Sequence, residues 1–320
     1  MPVLLLYFEP AELDPGLVAQ AEAAAPDMRV VVTRDAAAID TLRDEIEIAA
    51  GHVPPELALS LPRLRWLQQW GAGADWLLRH PEAATRDFIL TNASGVHAIP
   101  ISEQIIGTLL MFARGLHRAV RAQERRSWWR PQQSELFELA GKTMLLVGVG
   151  AIGARTAEIA RSLGMRVEAI RRDPSVGVPG VELVAGPDRL RERLPHADVV
   201  VLTAPLTRET RGLIGEAELR AMRPSAYLIN IGRGGTVDEP ALVRALREGW
   251  IAGAALDVFA QEPLPEDSPL WEMEQVIITG HYAGMTPRYN ERAMAILLDN
   301  LRRYRAGEEL RNVVDKQAGY

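Results

Sequence analysis

Arg233, Asp257, Glu262 and His281 each stand directly behind a short apolar run in the second half of the chain. Arg233 follows Ala226–Ile231 and sits in Gly232-Arg-Gly-Gly235. Asp257 and then Glu262 follow Ala252–Leu256, and His281 follows Val276–Thr279. A guanidinium grips a carboxylate through two parallel hydrogen bonds and can polarise a neighbouring carbonyl. An imidazole changes charge near neutral pH, so it can deliver a proton there. A carboxylate against the second ring nitrogen orients the ring and favours its charged form. These residue types suit hydride transfer to the carbonyl of a 2-keto acid, where negative charge builds on oxygen and a proton must arrive. Arg233 would hold the substrate, His281 would donate the proton, and Glu262 would orient His281. Taken singly, each has a plainer reading. A histidine after a strand is more often a capped loop residue, and Glu262, next to Pro263, is more often a solvated one. The glycines flanking Arg233 point to close approach of the backbone to a ligand.

A hydride needs a carrier, and the strongest local signal offers a place for one. Thr143-Met-Leu-Leu-Val-Gly148-Val-Gly150-Ala-Ile-Gly153 runs from an apolar strand through Gly-x-Gly-x-x-Gly into a helical pattern. Gly148 would allow the tight turn, Gly150 the approach of a pyrophosphate, and Gly153 close packing of helix on strand. Ala151 and Ile152 open the helix, whose free N–H groups and positive dipole end would receive the phosphates. A structural turn without a ligand is the alternative, and the flanking strand and helix weigh against it. After the next strand, Arg166–Ile170, a site for NAD usually carries an acid for the ribose hydroxyls. Here Arg171 and Arg172 stand in its place, followed by Asp173. Two guanidiniums suit a 2′-phosphate, so NADP(H) is the expected cofactor, with NAD(H) possible if Asp173 serves the ribose and the arginines are only solvated.

These positions depend on the elements beneath them. Strands are predicted at Val3–Phe8, Arg29–Thr33, Leu64–Gln69, Thr143–Gly148, Arg166–Ile170, Asp198–Thr203, Ala226–Ile231, Ala252–Leu256 and Val276–Thr279. Helical patterns cover Pro100–Arg121, Ala151–Leu163, Asp238–Glu248 and Arg288–Arg305, and the alanine-rich pieces Ala21–Ala25 and Ala36–Ala38 also read as helix. Such alternation predicts an α/β protein with parallel sheets covered on both faces. In such sheets ligands bind beyond the carboxyl ends of the strands, so residues far apart in sequence can converge there. Domain changes are placed near Pro100 and near Gly284. Residues 1–99 and 285–320 would then form one domain, and 100–284 a dinucleotide-binding domain inserted in it.

The chain has 320 residues, which suits two domains, with 48% hydrophobic and 24% charged residues. Lys and Arg number 36 against 42 Asp and Glu, a net charge of −6, and no long basic run suggests nucleic acid. The Arg-rich stretch Arg121–Arg130 is broken by Glu124 and two tryptophans and reads as a partner-facing or ligand-facing helix end. With no cysteine, disulfides, thiolate catalysis and Cys-based metal sites are excluded, no metal is expected, and a cytoplasmic protein is the simplest fit. Met1–Glu9 reads as a first strand and not a signal peptide, and no apolar stretch reaches the ~20 residues that span a membrane.

Several stretches together resemble the D-isomer-specific 2-hydroxyacid dehydrogenase family. They are Val147-Gly-Val-Gly-Ala-Ile-Gly153, Pro205-Leu-Thr-Arg-Glu-Thr210, Asn230-Ile-Gly-Arg-Gly-Gly235, Ala255-Leu-Asp-Val-Phe-Ala-Gln-Glu-Pro263 and Thr279-Gly-His-Tyr-Ala-Gly284, with Asn312-Val-Val-Asp315 near the end. The resemblance covers residues 100–284 well and the first hundred loosely. It implies two doubly wound domains, a Rossmann-type cofactor domain inserted in a flavodoxin-like substrate domain. It also implies the reduction of a small 2-keto acid to a D-2-hydroxy acid with NAD(P)H. The family's Arg, Glu and His fall on Arg233, Glu262 and His281. Its carboxylate-binding loop falls on Gly71-Ala-Gly-Ala-Asp75, where the N–H groups of Gly73 and Ala74 would hold the substrate. By composition alone that segment is only a Gly-rich turn. Asp257 would meet the nicotinamide amide and the Ile231 carbonyl would line the same pocket. Thr203, Ala204 and Pro205 would lie on the ribose side, and His281 and Gly284 would complete the cofactor contacts.

Two departures stand out. The family often has Pro before its catalytic His, where this chain has Gly280. Its usual acid after the second strand is Arg171 here, which resembles the glyoxylate and hydroxypyruvate reductase branch. The resemblance further implies a homodimer joined through the cofactor domain. Trp128 and Trp129 fit such an interface, the substrate cleft or ordinary core packing equally well. A phosphoglycerate dehydrogenase, a formate or phosphite dehydrogenase, and a dinucleotide-sensing corepressor-like protein are the alternatives to a 2-keto acid reductase. The complete Arg233, Glu262 and His281 set favours an enzyme over a sensor.

Overall fold

The computed structural model describes residues 1–319. Unit 1 comprises Met1–His97 and the segment from Thr286 onward, and unit 2 is Ala98–Met285.

Unit 1 is built on five parallel strands, β1 Val3–Tyr7, β2 Arg29–Val32, β3 Ile46–Gly51, β4 Trp66–Gln69 and β5 Ile89–Thr91, in the order β2-β1-β3-β4-β5. This is the flavodoxin-like order. Side chains alternate across a strand, so β1 feeds both faces of the sheet. Leu4 and Leu6 pack with Leu297 and Leu301 of the C-terminal helix Tyr289–Ala306. Val3 and Leu5 pack with Ile39 and Ala58 on the opposite face. The connecting helices are α1 Pro15–Ala24, α2 Ala36–Leu42 and α3 Pro55–Ser60. Asp14 and Asp35 cap α1 and α2 by accepting the N–H groups of Gly16 and Ala38, a kind of bond whose loss costs about 1 kcal/mol. Trp70 is fully buried, edge-on to Phe8.

Unit 2 carries seven parallel strands: β6 Thr143–Val147, β7 Arg166–Ile170, β8 Leu183–Ala185, β9 Val199–Leu202, β10 Tyr227–Asn230, β11 Gly253–Leu256 and β12 Val276–Ile278. Their order is β12-β11-β10-β9-β6-β7-β8, the Rossmann arrangement with one added strand. Every residue of β6, β9 and β11 is buried, as expected of strands covered on both faces. The helices are α4 Ala98–Ala113, α5 Leu116–Glu124, α6 Ala151–Ser162, α7 Leu190–Arg193, α8 Glu216–Ala221 and α9 Glu239–Arg247. The small buried face of α6, Gly153, Thr156, Ala157 and Ala160, lets it lie close against its neighbours.

The sequence reading needs correction at several elements. Pro100–Arg121 is not one helix. Gly115 adopts φ +64°, ends α4 and starts α5, and a Cβ there would stand 2.6 Å from the Trp129 ring. Apolar periodicity on both sides of the break concealed it. Strands β3, β5 and β8 were not predicted; β5 and β8 have only three residues each, and β3 ends in Ala-Ala-Gly, which has weak strand character. Trp128 is 96% exposed and Trp129 packs beneath the Arg118 guanidinium, so neither belongs to a core cluster.

Candidate active site

The order of the strands reverses between β6 and β9, and a ligand crevice opens at such a point. The glycine turn leaves β6 here. Gly148 has φ +89°, and a Cβ on it would stand 2.7 Å from the Ala204 backbone. A Cβ on Gly153 would meet the Gly148 carbonyl oxygen at 3.0 Å. Around Gly150, which caps α6, nothing lies within 4 Å of a Cβ position. Two glycines are thus demanded by the protein's own packing and the third borders open space, which fits a phosphate cradle. Ala151 and Ile152 begin α6 beside that space. The Thr203 hydroxyl donates to the Gly148 carbonyl and ties the end of β9 to the turn. Ala204 and Pro205 follow it along the same edge.

The loop after β7 starts with Arg171, whose Nη1 donates to the Val176 carbonyl at 3.4 Å. Asp173 accepts from the Ser175 hydroxyl at 2.5 Å and from its N–H at 3.0 Å. These bonds, with the charge of Arg171 adding, hold the Asp173 carboxyl below its usual range. On the loop after β9, hydrogen bonds from the Thr207 hydroxyl and from its own backbone N–H hold Glu209 below its usual range. The charges of Arg172 and Arg208 add to this.

The chemistry-bearing residues follow three neighbouring strands: Arg233 after β10, Asp257 after β11 and His281 after β12. His281 Nδ1 and Glu262 Oε2 are 2.6 Å apart, and both side chains are partly open to solvent. Glu262 Oε1 accepts the N–H of Phe259 at 3.0 Å, which fixes the carboxylate from behind. His281 itself has φ +54°, a left-handed backbone that non-glycine residues seldom adopt. It is held there from Asp257. The Asp257 carbonyl accepts the His281 N–H at 2.8 Å, and its buried carboxylate accepts from Thr279 Oγ1 at 2.6 Å, Tyr282 N at 3.2 Å and Ala283 N at 3.1 Å. Gln104 Nε2 donates to Thr279 Oγ1 from α4. Gly284 lies just beyond this loop.

Two of the glycines around Arg233 are required by packing within the protein itself. A Cβ on Gly234 would overlap the Phe259 carbonyl at 1.9 Å, and one on Gly232 would meet the Ala204 carbonyl oxygen at 2.9 Å. They admit close approach of backbone to backbone: Gly234 locks the Arg233 loop against the segment that leads to Glu262, and Gly232 packs it on the end of β9. Asn230, 1% exposed, accepts the Gly232 N–H and donates to the Arg233 carbonyl, each at 3.1 Å. Arg233 Nη1 also donates to the Gly232 carbonyl, and Ile231 is buried beside it. Asn230, Thr279 and Gln104 were not singled out from the sequence. A buried Asn ending a strand before Gly-x-Gly was the available signal for the first, and nothing marked the other two.

In unit 1, Gly71–Asp75 forms a turn after β4, and Ala74 is buried at the start of a short 3-10 helix, Asp75–Leu78. Gln69 Nε2 donates to the carbonyls of Gly71 and Gly73, and Asn92 Nδ2 to that of Ala72. Among the described residues no group of His, Cys, Asp or Glu is gathered as a metal cage, and no helix is long and apolar enough to cross a membrane.

Comparison with known proteins matches residues 106–283 to the family described as "D-isomer specific 2-hydroxyacid dehydrogenase, NAD binding domain". A glyoxylate reductase from Korarchaeum cryptofilum is 35% identical over 299 residues, 92% of this chain and 88% of that protein. A D-isomer specific 2-hydroxyacid dehydrogenase from Xanthobacter autotrophicus, solved with NADPH and MES, superposes with TM-score 0.84 at 29% identity over 100% of both chains. An NADPH-dependent glyoxylate/hydroxypyruvate reductase from Sinorhizobium meliloti, solved with NADP and sulfate, gives TM-score 0.83 at 27% identity, again over 100% of both chains.

Proposed function

We propose that this chain, which belongs to the D-isomer specific 2-hydroxyacid dehydrogenase family, is an NADPH-preferring reductase of small 2-keto acids such as glyoxylate and hydroxypyruvate. Membership makes it an NAD(P)-dependent oxidoreductase that interconverts 2-keto acids and D-2-hydroxy acids. The observation that carries the assignment of roles is the 2.6 Å contact between His281 and Glu262, at the carboxyl end of the sheet that bears the glycine turn.

The bound nicotinamide supplies the hydride. His281 uses Nδ1 on Glu262, which leaves Nε2 to present a proton to the carbonyl oxygen of the substrate. Glu262 fixes the tautomer and stabilises the imidazolium. Arg233 holds the substrate carboxylate and offsets the charge that develops on the carbonyl oxygen. The N–H groups of Gly73 and Ala74 also bind the substrate carboxylate. Asp257 keeps the His281 loop in place and faces the nicotinamide amide, next to the Ile231 carbonyl. Gly148, Gly150, Ala151, Ile152 and Gly153 cradle the pyrophosphate, with Thr203, Ala204, Pro205 and Gly284 completing the lining.

NADPH preference is supported by Arg171 and Arg172 after β7, which stand where a site for NAD usually carries an acid for the ribose hydroxyls. Relatives of known structure hold NADPH or NADP. The name of the K. cryptofilum relative supports glyoxylate. A cytoplasmic homodimer joined through unit 2 completes the reading, with exposed Trp128, Leu116 and Val120 as apolar surface for the second copy.

The test is His281→Ala. Glyoxylate-dependent NADPH oxidation should fall by about 10²-fold or more, while NADPH binding is retained. Full turnover by this variant would remove His281 from the chemistry.

A further inference from the structure

We propose that Gln69 and Asn92 are positioning residues, each setting one peptide plane so that the N–H groups of Gly73 and Ala74 face the substrate carboxylate. The proposal rests on the reading that the carboxylate binds at this turn. In a trans peptide unit the C=O and N–H point in opposite directions. The carbonyl of Gly73 and the N–H of Ala74 belong to one unit, and those of Ala72 and Gly73 to the unit before it. Gln69 Nε2 holds the Gly73 carbonyl and thereby turns the Ala74 N–H away from Gln69. Asn92 Nδ2 holds the Ala72 carbonyl at 2.8 Å and does the same for the Gly73 N–H. The Gly71 carbonyl is drawn in as well, by Gln69 Nε2 at 3.2 Å and Ala93 N at 3.1 Å. Three successive carbonyls are thus occupied, and neither the Gly73 nor the Ala74 N–H donates to an acceptor among the described residues. Paired N–H groups of this kind take anions.

Neither amide is free to flip. The indole of Trp76 can only donate, and it donates to Gln69 Oε1 at 2.7 Å, so the NH₂ end must face the carbonyls. The Ser94 N–H donates to Asn92 Oδ1 at 3.0 Å and fixes Asn92 in the same way. Asn312, at φ +57°, braces this strand end by donating to the carbonyls of Asn92 and Ser94. Gln69 is thus fixed by Trp76 and Asn92 by Ser94, and each acts on a different peptide unit.

The experiment uses the full chain, with two readouts. Steady-state rates are measured for Gln69→Met, which keeps the volume without the amide, for Asn92→Ala, and for the double variant. Each single change should raise KM for glyoxylate about tenfold, the worth of one bond to a charged group, with kcat and KM for NADPH within about twofold of the parent. The double variant should raise the same KM further than either single change, and its departure from the product measures the coupling of the two adjacent peptide units. Trp76→Phe, which removes the bond that orients Gln69 and keeps an aromatic ring, should give a smaller rise in the same KM and serves if Gln69→Met does not fold. The second readout is the amide ¹⁵N resonances of Gly73 and Ala74 in the NADP-loaded protein, titrated with oxamate. Both should shift in the parent, and with weaker affinity in the variants. Shifts of equal affinity in parent and variants, or loss of kcat and NADPH affinity together with glyoxylate affinity, would overturn the positioning role alone. No response in the parent would overturn the carboxylate reading with it.

Discussion

His281 combines a left-handed backbone with a short contact to Glu262 and a backbone bond to the Asp257 carbonyl. Such a conformation costs on the order of 1 kcal/mol or more and persists where its surroundings over-determine it. Here the surroundings are the buried Asp257 carboxylate and the donors it collects from Thr279, Tyr282 and Ala283. Glu262→Gln keeps the shape of that partner but removes the charge that stabilises the imidazolium. It should lower kcat by about 10²-fold with little change in KM for NADPH, read from initial rates. A variant with the parent's kcat would show that Glu262 is a bystander. Residues of this kind were legible in the sequence because strand ends gather chemistry in a parallel sheet. The amides that pin the loops, Asn230, Gln69 and Asn92, were not, since a side chain that bonds to backbone leaves no periodic trace.

At the scale of elements, the loops after β10 and β11 behave as one packed body. Gly234 has no room for a methyl group against Phe259, and the atoms in the way are backbone, which cannot rotate aside. Gly234→Ala should destabilise unit 2 by about 3 kcal/mol, lower its melting temperature by several degrees, and reduce turnover as the Arg233 loop moves off the Glu262 segment. Gly107 in α4 is the contrast, with nothing within 4 Å of a Cβ position. Gly107→Ala should leave stability unchanged or raise it by up to about 1 kcal/mol. Thermal unfolding of the two variants separates a packing role from a general sensitivity to glycine replacement. An unchanged melting temperature in Gly234→Ala would contradict the packing account. The same region shows where pattern reading stops. Glycines beside Arg233 suggested a ligand, yet their need is set by neighbouring loops, which no local pattern reveals. Gly115, which divides α4 from α5, was missed for the related reason that apolar spacing continues across it.

For the whole molecule, strand–helix alternation and fully apolar strands made two parallel sheets readable before any coordinates. The glycine turn identified which of them faces a dinucleotide. Three strands escaped because their residues are few or alanine-rich, and their places are fixed by pairing with neighbours far away in sequence, as when β3 slots between β1 and β4. The activity proposed for the whole chain is that of a 2-keto acid reductase that prefers NADPH. It is tested most directly by the loss of absorbance of NADPH, and separately of NADH, on adding 2-keto acids from glyoxylate to phenylpyruvate. Turnover of glyoxylate or hydroxypyruvate is expected, with kcat/KM for NADPH at least about tenfold above that for NADH. Faster turnover with NADH, or none with either cofactor despite measurable binding of both, would contradict it.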